Sequence, residues 1–165
     1  MTLFRGLAAL LLLLFGLAAC ETTPVPPKGP SFYVMRHLQK GEGQDPPLSA
    51  EGQANARRLI GFFAVDPPRV IYVSTTRRAS ETAEPLAAKL WARVRRYDPG
   101  DTAGLVARVL AERGTVLVVG HSNTVPEIVE RLGGERPAPL AETDYGDVWH
   151  LWGAPRRTER VRVTP

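Results

Sequence analysis

From Ser31 onward, short runs of β-branched and aromatic residues alternate with longer amphipathic stretches, and this alternation limits the fold more than any other feature of the chain. The segments "SFYVM" (31–35), "RVIYVS" (69–74), "ARVRRY" (92–97) and "TVLVVG" (115–120) have strand composition. The segments "SAEGQANARRLIGFFA" (49–64), "RASETAEPLAAKLW" (78–91), "DTAGLVARVLAER" (101–113) and "TVPEIVERLGG" (124–134) have helical periodicity. Ser49 and Asp101 stand at capping positions, Ala56, Leu59, Ile60 and Phe63 share one face, and Gly133-Gly134 close the last helix. Pro85 interrupts the second helical pattern. "DVWHLW" (147–152) and "ERVRV" (159–163) predict a late hairpin at a sheet edge. Strands and helices alternating through short links predict a three-layer α/β/α sandwich on a mostly parallel sheet, formed by residues 31–165 as one domain.

The N-terminal residues are of a different kind. Arg5 precedes "GLAALLLLLFGLAAC", an apolar stretch short for a permanent span and ending in small residues, the pattern of a secretory signal over residues 1–20. Its end, Leu17-Ala18-Ala19-Cys20, resembles the lipobox of bacterial lipoproteins, which implies cleavage before Cys20 and lipidation of that residue. Residues 21–30, "ETTPVPPKGP", hold four prolines and predict an extended tether. Cys20 is the only cysteine, so the domain has no disulfide to rely on. The expected location is therefore the bacterial cell envelope, lipid-anchored on the periplasmic side. Glu21-Thr22 lacks the Asp that retains such proteins in the inner membrane, which favours the outer one.

The net charge of +4 is Arg-rich, but no aromatic ladder interleaves the Arg pairs, and a nucleic-acid partner is not expected. More telling is where the polar residues fall. Arg36-His37 follow the first predicted strand, Arg77-Arg78 the second, Asp98 the third and His121 the fourth. In an open parallel sheet the carboxyl ends of the strands share one edge, where ligand crevices form. Two arginines and two histidines without cysteine make a poor metal site and a good phosphate site, since guanidinium groups bind phosphoryl oxygens bidentately. A histidine there can also be a nucleophile that holds the phosphoryl group covalently. Neither a metal nor a cofactor is expected.

These motifs resemble the histidine phosphatase superfamily, also called phosphoglycerate mutase-like, in its small bacterial form. Arg36-His37-Leu38 is similar to the family's Arg-His-Gly, "PPLSAEGQANA" to its Pro-Leu-Thr segment, "STTRRASETA" to its second arginine motif, and "GHSNT" to its second histidine motif. The resemblance runs over most of residues 31–152. It implies that His37 attacks phosphorus and becomes phosphohistidine, which water then hydrolyses. It further implies that Arg36, Arg78 and His121 bind the phosphoryl oxygens, the electrostatic contribution that dominates phosphoryl transfer. The cationic pocket is expected to depress the pKa of His37, while His121 helps most as a charged donor. Leu38 stands where the family has glycine, which makes pocket shape a question. Asp98, nearest the strand end, is the first candidate for leaving-group acid, with Asp101 and Glu127 as alternatives. Lys40 is expected in solvent and His150 in packing on the sheet.

The leading functional expectation is a metal-independent phosphomonoesterase acting on an extracytoplasmic phosphorylated small molecule or envelope glycan. The alternatives are a non-catalytic phosphate-binding module, motivated by Leu38, and a protein phosphohistidine phosphatase.

Overall fold

The computed structural model describes residues 29–163. The predicted signal, Cys20 and all but the last two residues of the tether lie outside the described residues. The elements follow the order β1 (Ser31–Arg36), α1 (Ala50–Phe62), β2 (Val70–Ser74), α2 (Arg77–Leu90), β3 (Arg93–Tyr97), α3 (Thr102–Ala111), β4 (Thr115–Gly120), α4 (Val125–Arg131), β5 (Asp147–Trp152) and β6 (Arg157–Arg162). Every predicted element is present, with ends shifted by up to three residues. No described helix is long and apolar enough to cross a membrane.

The six strands form one sheet in the order β3-β2-β4-β1-β5-β6. β3, β2, β4 and β1 pair in parallel, whereas β5 runs antiparallel to β1 and β6 antiparallel to β5. The sheet is therefore mixed, its parallel part extended by an antiparallel hairpin, where a mostly parallel sheet was expected. The physical reason is the late hairpin, which needs no crossover and adds to the β1 side in the antiparallel sense.

Both faces of the sheet are covered. β1, β2 and β4 are buried along their whole length, as their uninterrupted apolar runs require of central strands. On one face Met35, Ile71, Val73 and Val119 pack with Ala56, Leu59 and Phe63 of α1 and its end, and with Ala83 and Leu86 of α2. On the other, Val34, Tyr72 and Val118 pack with Leu105 and Val109 of α3 and Ile128 and Val129 of α4. α2 continues through Pro85, which removes one backbone donor, because Ala79, Thr82, Ala83 and Leu86 keep its inner face buried. Ser49 caps α1 by accepting from the Gly52 amide, and Asp101 caps α3 through the Gly104 amide, as their positions predict. Gly52 has a second reason to be glycine: a Cβ there would overlap the Gln39 carbonyl, so the loop after β1 rests directly on the first turn of α1.

The parallel strands deliver Arg36, Ser74, Tyr97 and Gly120 to one edge. Because β5 is antiparallel to β1, with Met35 opposite Val148, the loop that precedes β5 reaches the same edge.

Candidate active site

His37 is the residue after β1 and is only 2% exposed. Its Nδ1 lies 2.8 Å from the Leu38 carbonyl oxygen. A carbonyl can only accept, so Nδ1 carries the ring proton and Nε2 keeps its lone pair. Arg78 Nε donates to that Nε2 at 3.0 Å. The unprotonated nitrogen thus points at the guanidinium that the sequence motif assigns to phosphate. Burial, aided by the charges of His121, Arg36 and Arg78, lowers the His37 pKa to about 3, which keeps the ring neutral. This matches the expected direction.

His121, the residue after β4, faces His37 with ring centroids 5.3 Å apart. Its Nε2 is 2.8 Å from Ser74 Oγ and its Nδ1 3.5 Å from an Arg78 terminal nitrogen. The guanidinium can only donate, so Nδ1 is an acceptor and Nε2 carries the proton toward Ser74. Its pKa is also lowered, to about 4, by burial and then by Arg78 and Arg36. Burial thus favours the neutral form of both rings. On His121, burial first and the two arginines second disfavour a further proton, whereas a bound phosphoryl dianion would supply compensating charge and favour a proton on Nδ1.

Arg36 is 2% exposed and anchored by the loop before β5. One terminal nitrogen donates to the carbonyls of Ala141, Glu142 and Asp144 at 2.8, 3.1 and 3.2 Å. The other donates to Glu142 Oε2 at 3.2 Å and the Tyr145 hydroxyl at 3.3 Å, and the guanidinium lies 4.2 Å from the Tyr145 ring centroid. Among the described residues its Nε is the one buried side-chain nitrogen without a hydrogen-bond partner. Arg36 can meet a phosphoryl group through that Nε, or through the terminal nitrogen it shares with Glu142, whose side chain is 77% exposed.

Leu38 answers the question its position raised. The side chain is fully buried in the cluster that holds Leu48, Ala56 and Leu59, so it points into the core beneath α1 and α2. Its backbone alone serves the site: the amide donates to Thr82 Oγ1 at 3.0 Å and the carbonyl fixes the His37 tautomer. Thr82 Oγ1 in turn donates to the Arg78 carbonyl at 2.8 Å, tying nucleophile loop and clamp helix together.

Asp98 does not join the group. It follows β3, which the sheet order separates from β1 by two strands, roughly 14 Å at normal strand spacing. It is exposed, and its carboxylate accepts from the Gly100 amide at 2.8 Å. Asp101 caps α3 and Glu127 pairs with Arg131, so neither alternative touches the cluster. Position on the edge was a sound criterion, but the edge is six strands wide. The carboxylates that do reach the clamp are Asp45, 3.5 Å from an Arg78 nitrogen and bonded to the Arg77 amide, and Glu142 on Arg36. Both lie in loops whose sequence carried no readable code; with Tyr145, they went unpredicted. Ser74 was legible in principle, as the last residue of a predicted strand. Lys40 is exposed as expected. His150 stacks on Tyr33 at 4.1 Å and contacts Ser31 Oγ, at the far end of the sheet. Among the described residues no group of three or more His, Cys, Asp or Glu side chains is arranged to hold a metal ion.

Residues 33–113 match the family model of the histidine phosphatase superfamily, branch 1. Over these residues, just under half of its length, the chain is similar to that superfamily. His121 lies beyond the matched residues, and it is the fold that brings it to His37. A comparison with curated proteins finds no significant relative. Solved structures share the fold at low identity. One, assigned as the phosphohistidine phosphatase SixA of Agrobacterium tumefaciens, superposes with a TM-score of 0.65 at 19% identity over 84% of this chain and 99% of its own. The protein histidine phosphatase SixA complexed with tungstate gives 0.63 at 20% identity, covering 81% and 97%. A mycobacterial glucosyl-3-phosphoglycerate phosphatase with inorganic phosphate gives 0.61 at 17%, covering 79% and 95%.

Proposed function

We propose that this chain is a phosphomonoesterase that works through a phosphohistidine on His37 Nε2. The observation that carries the proposal is the fixed tautomer: the Leu38 carbonyl holds the proton on Nδ1, which leaves Nε2 nucleophilic beside the Arg78 fork. In the first step Nε2 attacks phosphorus, the bond to the leaving oxygen breaks, and that oxygen takes up a proton. In the second step water attacks the phosphohistidine, giving inorganic phosphate and restoring the imidazole. Arg78, Arg36 Nε and His121 Nδ1 would offset the charge on the equatorial oxygens in both steps. Fold neighbours that carry tungstate and phosphate in their structures support an oxyanion pocket of this kind.

The leader-like residues 1–20, with Cys20 at their end, support a lipid-anchored protein acting on an extracytoplasmic phosphate ester, a small molecule or envelope glycan. A second reading, dephosphorylation of protein phosphohistidine, is favoured by size: this chain covers nearly the whole length of the SixA structures. The two separate experimentally. The full chain would be given an aryl phosphate, a sugar phosphate and a phosphohistidine peptide, each with a His37→Gln control and with chelator. The account expects turnover of the oxygen esters, unaffected by chelator and lost in the variant. Turnover of the peptide alone would shift the assignment to the second reading, and phosphate binding without any turnover would make the chain a binding module.

A further inference from the structure

The edge of the sheet opposite the active site carries a second surface. Trp91, at the C-cap of α2, is 93% exposed and is the single described residue other than glycine with positive φ, at 52°. That position favours glycine, so an unpacked tryptophan there gains nothing from the domain's own core. Val65, before β2, is 95% exposed. Pro67, Pro68, Leu90 and Trp91, with Arg69 and Arg93, line an open groove of about 440 Å3. Lys89 and Arg113 are exposed at the same ends of α2 and of the link into β4. Two acidic groups at this end are engaged, Asp66 accepting from Ser31, Tyr33 and Thr115 and Glu112 from Tyr72 and Arg95, while Glu159 is exposed on β6 near Tyr33.

The chain also enters the domain at this edge. Pro30 immediately precedes β1, and Arg156 donates to its carbonyl at 3.1 Å. The apolar stretch Gly6–Ala19 and Cys20 lie within a short tether of that point. We propose that this edge is a membrane-docking face: Trp91 and Val65 enter the interfacial layer of an anionic bilayer, and the surrounding cations meet its headgroups. Tryptophan at a headgroup boundary and basic residues on an anionic leaflet are the chemistry such a surface recognises. The β strands are about 17 Å long, so docking holds the His37 site facing away from the lipid, open to soluble substrate. The proposal rests on the membrane anchoring put forward above, and its test separates the two.

The full chain is reconstituted into phosphatidylglycerol-rich vesicles, with and without brominated acyl chains, beside Trp91→Phe and a Lys89→Glu/Arg113→Glu variant. Emission assigned to Trp91 by difference should fall about twofold or more with brominated lipid, as expected of an interfacial indole. The charge variant, and zwitterionic vesicles, should lose most of that quenching while aryl phosphate turnover stays unchanged. A chain that sediments with vesicles but keeps Trp91 unquenched would overturn docking and leave anchoring intact, whether the face is bare or covered by a second copy. A chain that stays in the supernatant would overturn both.

Discussion

Replacing Leu38 by glycine, the residue found in the superfamily motif, separates two accounts of this position. If leucine crowds the phosphate pocket, Leu38→Gly should raise activity at little cost. In the structure the side chain is fully buried away from the pocket, among Leu48, Ala56 and Leu59. Truncating such a leucine to alanine costs ~2–5 kcal/mol through lost transfer energy and the cavity left behind. The added freedom of glycine in a loop contributes ~0.4–1 kcal/mol more through the unfolded state. The sum, roughly 2–6 kcal/mol, is a large share of the ~5–15 kcal/mol that holds a domain folded. Urea unfolding at pH 7 should show it: with a slope of ~1.5 kcal/mol per molar, a loss of 3 kcal/mol moves the midpoint by about 2 M. The two backbone contacts of residue 38, to Thr82 and His37, survive the change. Turnover of an aryl phosphate per folded molecule should therefore fall less than about tenfold, within the range of a slightly loosened positioning contact. A stability loss under ~1 kcal/mol, or a gain in kcat/KM of about tenfold or more, would refute the assignment of this side chain to the core.

Two further predictions concern charge. His37 and His121 have folded pKa values, about 3 and about 4, below the ordinary 6.5. Between those values and 6.5 the unfolded chain binds more protons, so stability is fully present above pH 6.5 and falls as the medium is acidified. Each histidine contributes a slope of ~1 kcal/mol per pH unit, and His37→Gln should remove about half of the loss measured by urea titration between pH 7 and pH 5. A variant with the wild-type slope would show that the rings are not buried neutral. As for the leaving-group proton, Asp45 touches Arg78 whereas Asp98 closes its own turn. Asp45→Asn should slow an alkyl phosphate more than an aryl phosphate, because only the poorer leaving group needs protonation. Asp98→Asn should leave both rates within about twofold, and the reverse ranking would return the role to Asp98.

The parts of the site visible in the sequence are those that strands deliver. Arg36-His37 and His121 follow buried apolar runs, and a run with no polar interruption fixes both the strand and its direction in a parallel sheet. Arg78 was placed by its motif, one residue into α2. What escaped is set by long-range geometry. The antiparallel addition of β5 brings Glu142 and Tyr145 to Arg36 across more than a hundred residues, and nothing local encodes it. Asp98 failed for the same reason, because strand order decides which strand ends are neighbours. The direction of the Leu38 side chain depends on how the loop after β1 lies on α1, a contact fixed by Gly52 against Gln39. The charge state of His121 likewise follows from burial, which no spacing rule reports.

The covalent intermediate is the most direct test of the central claim. The full chain is mixed with an aryl phosphate, quenched in alkali within the first turnovers and mapped by mass spectrometry of its peptides. Phosphohistidine is acid-labile, so an acid-quenched sample serves as the control. The account predicts one phosphoryl group on the peptide that contains His37, absent from His37→Gln and lost in acid. A phosphoryl group on His121 or any other residue, or turnover with no covalent intermediate in wild type and persisting in His37→Gln, would contradict it.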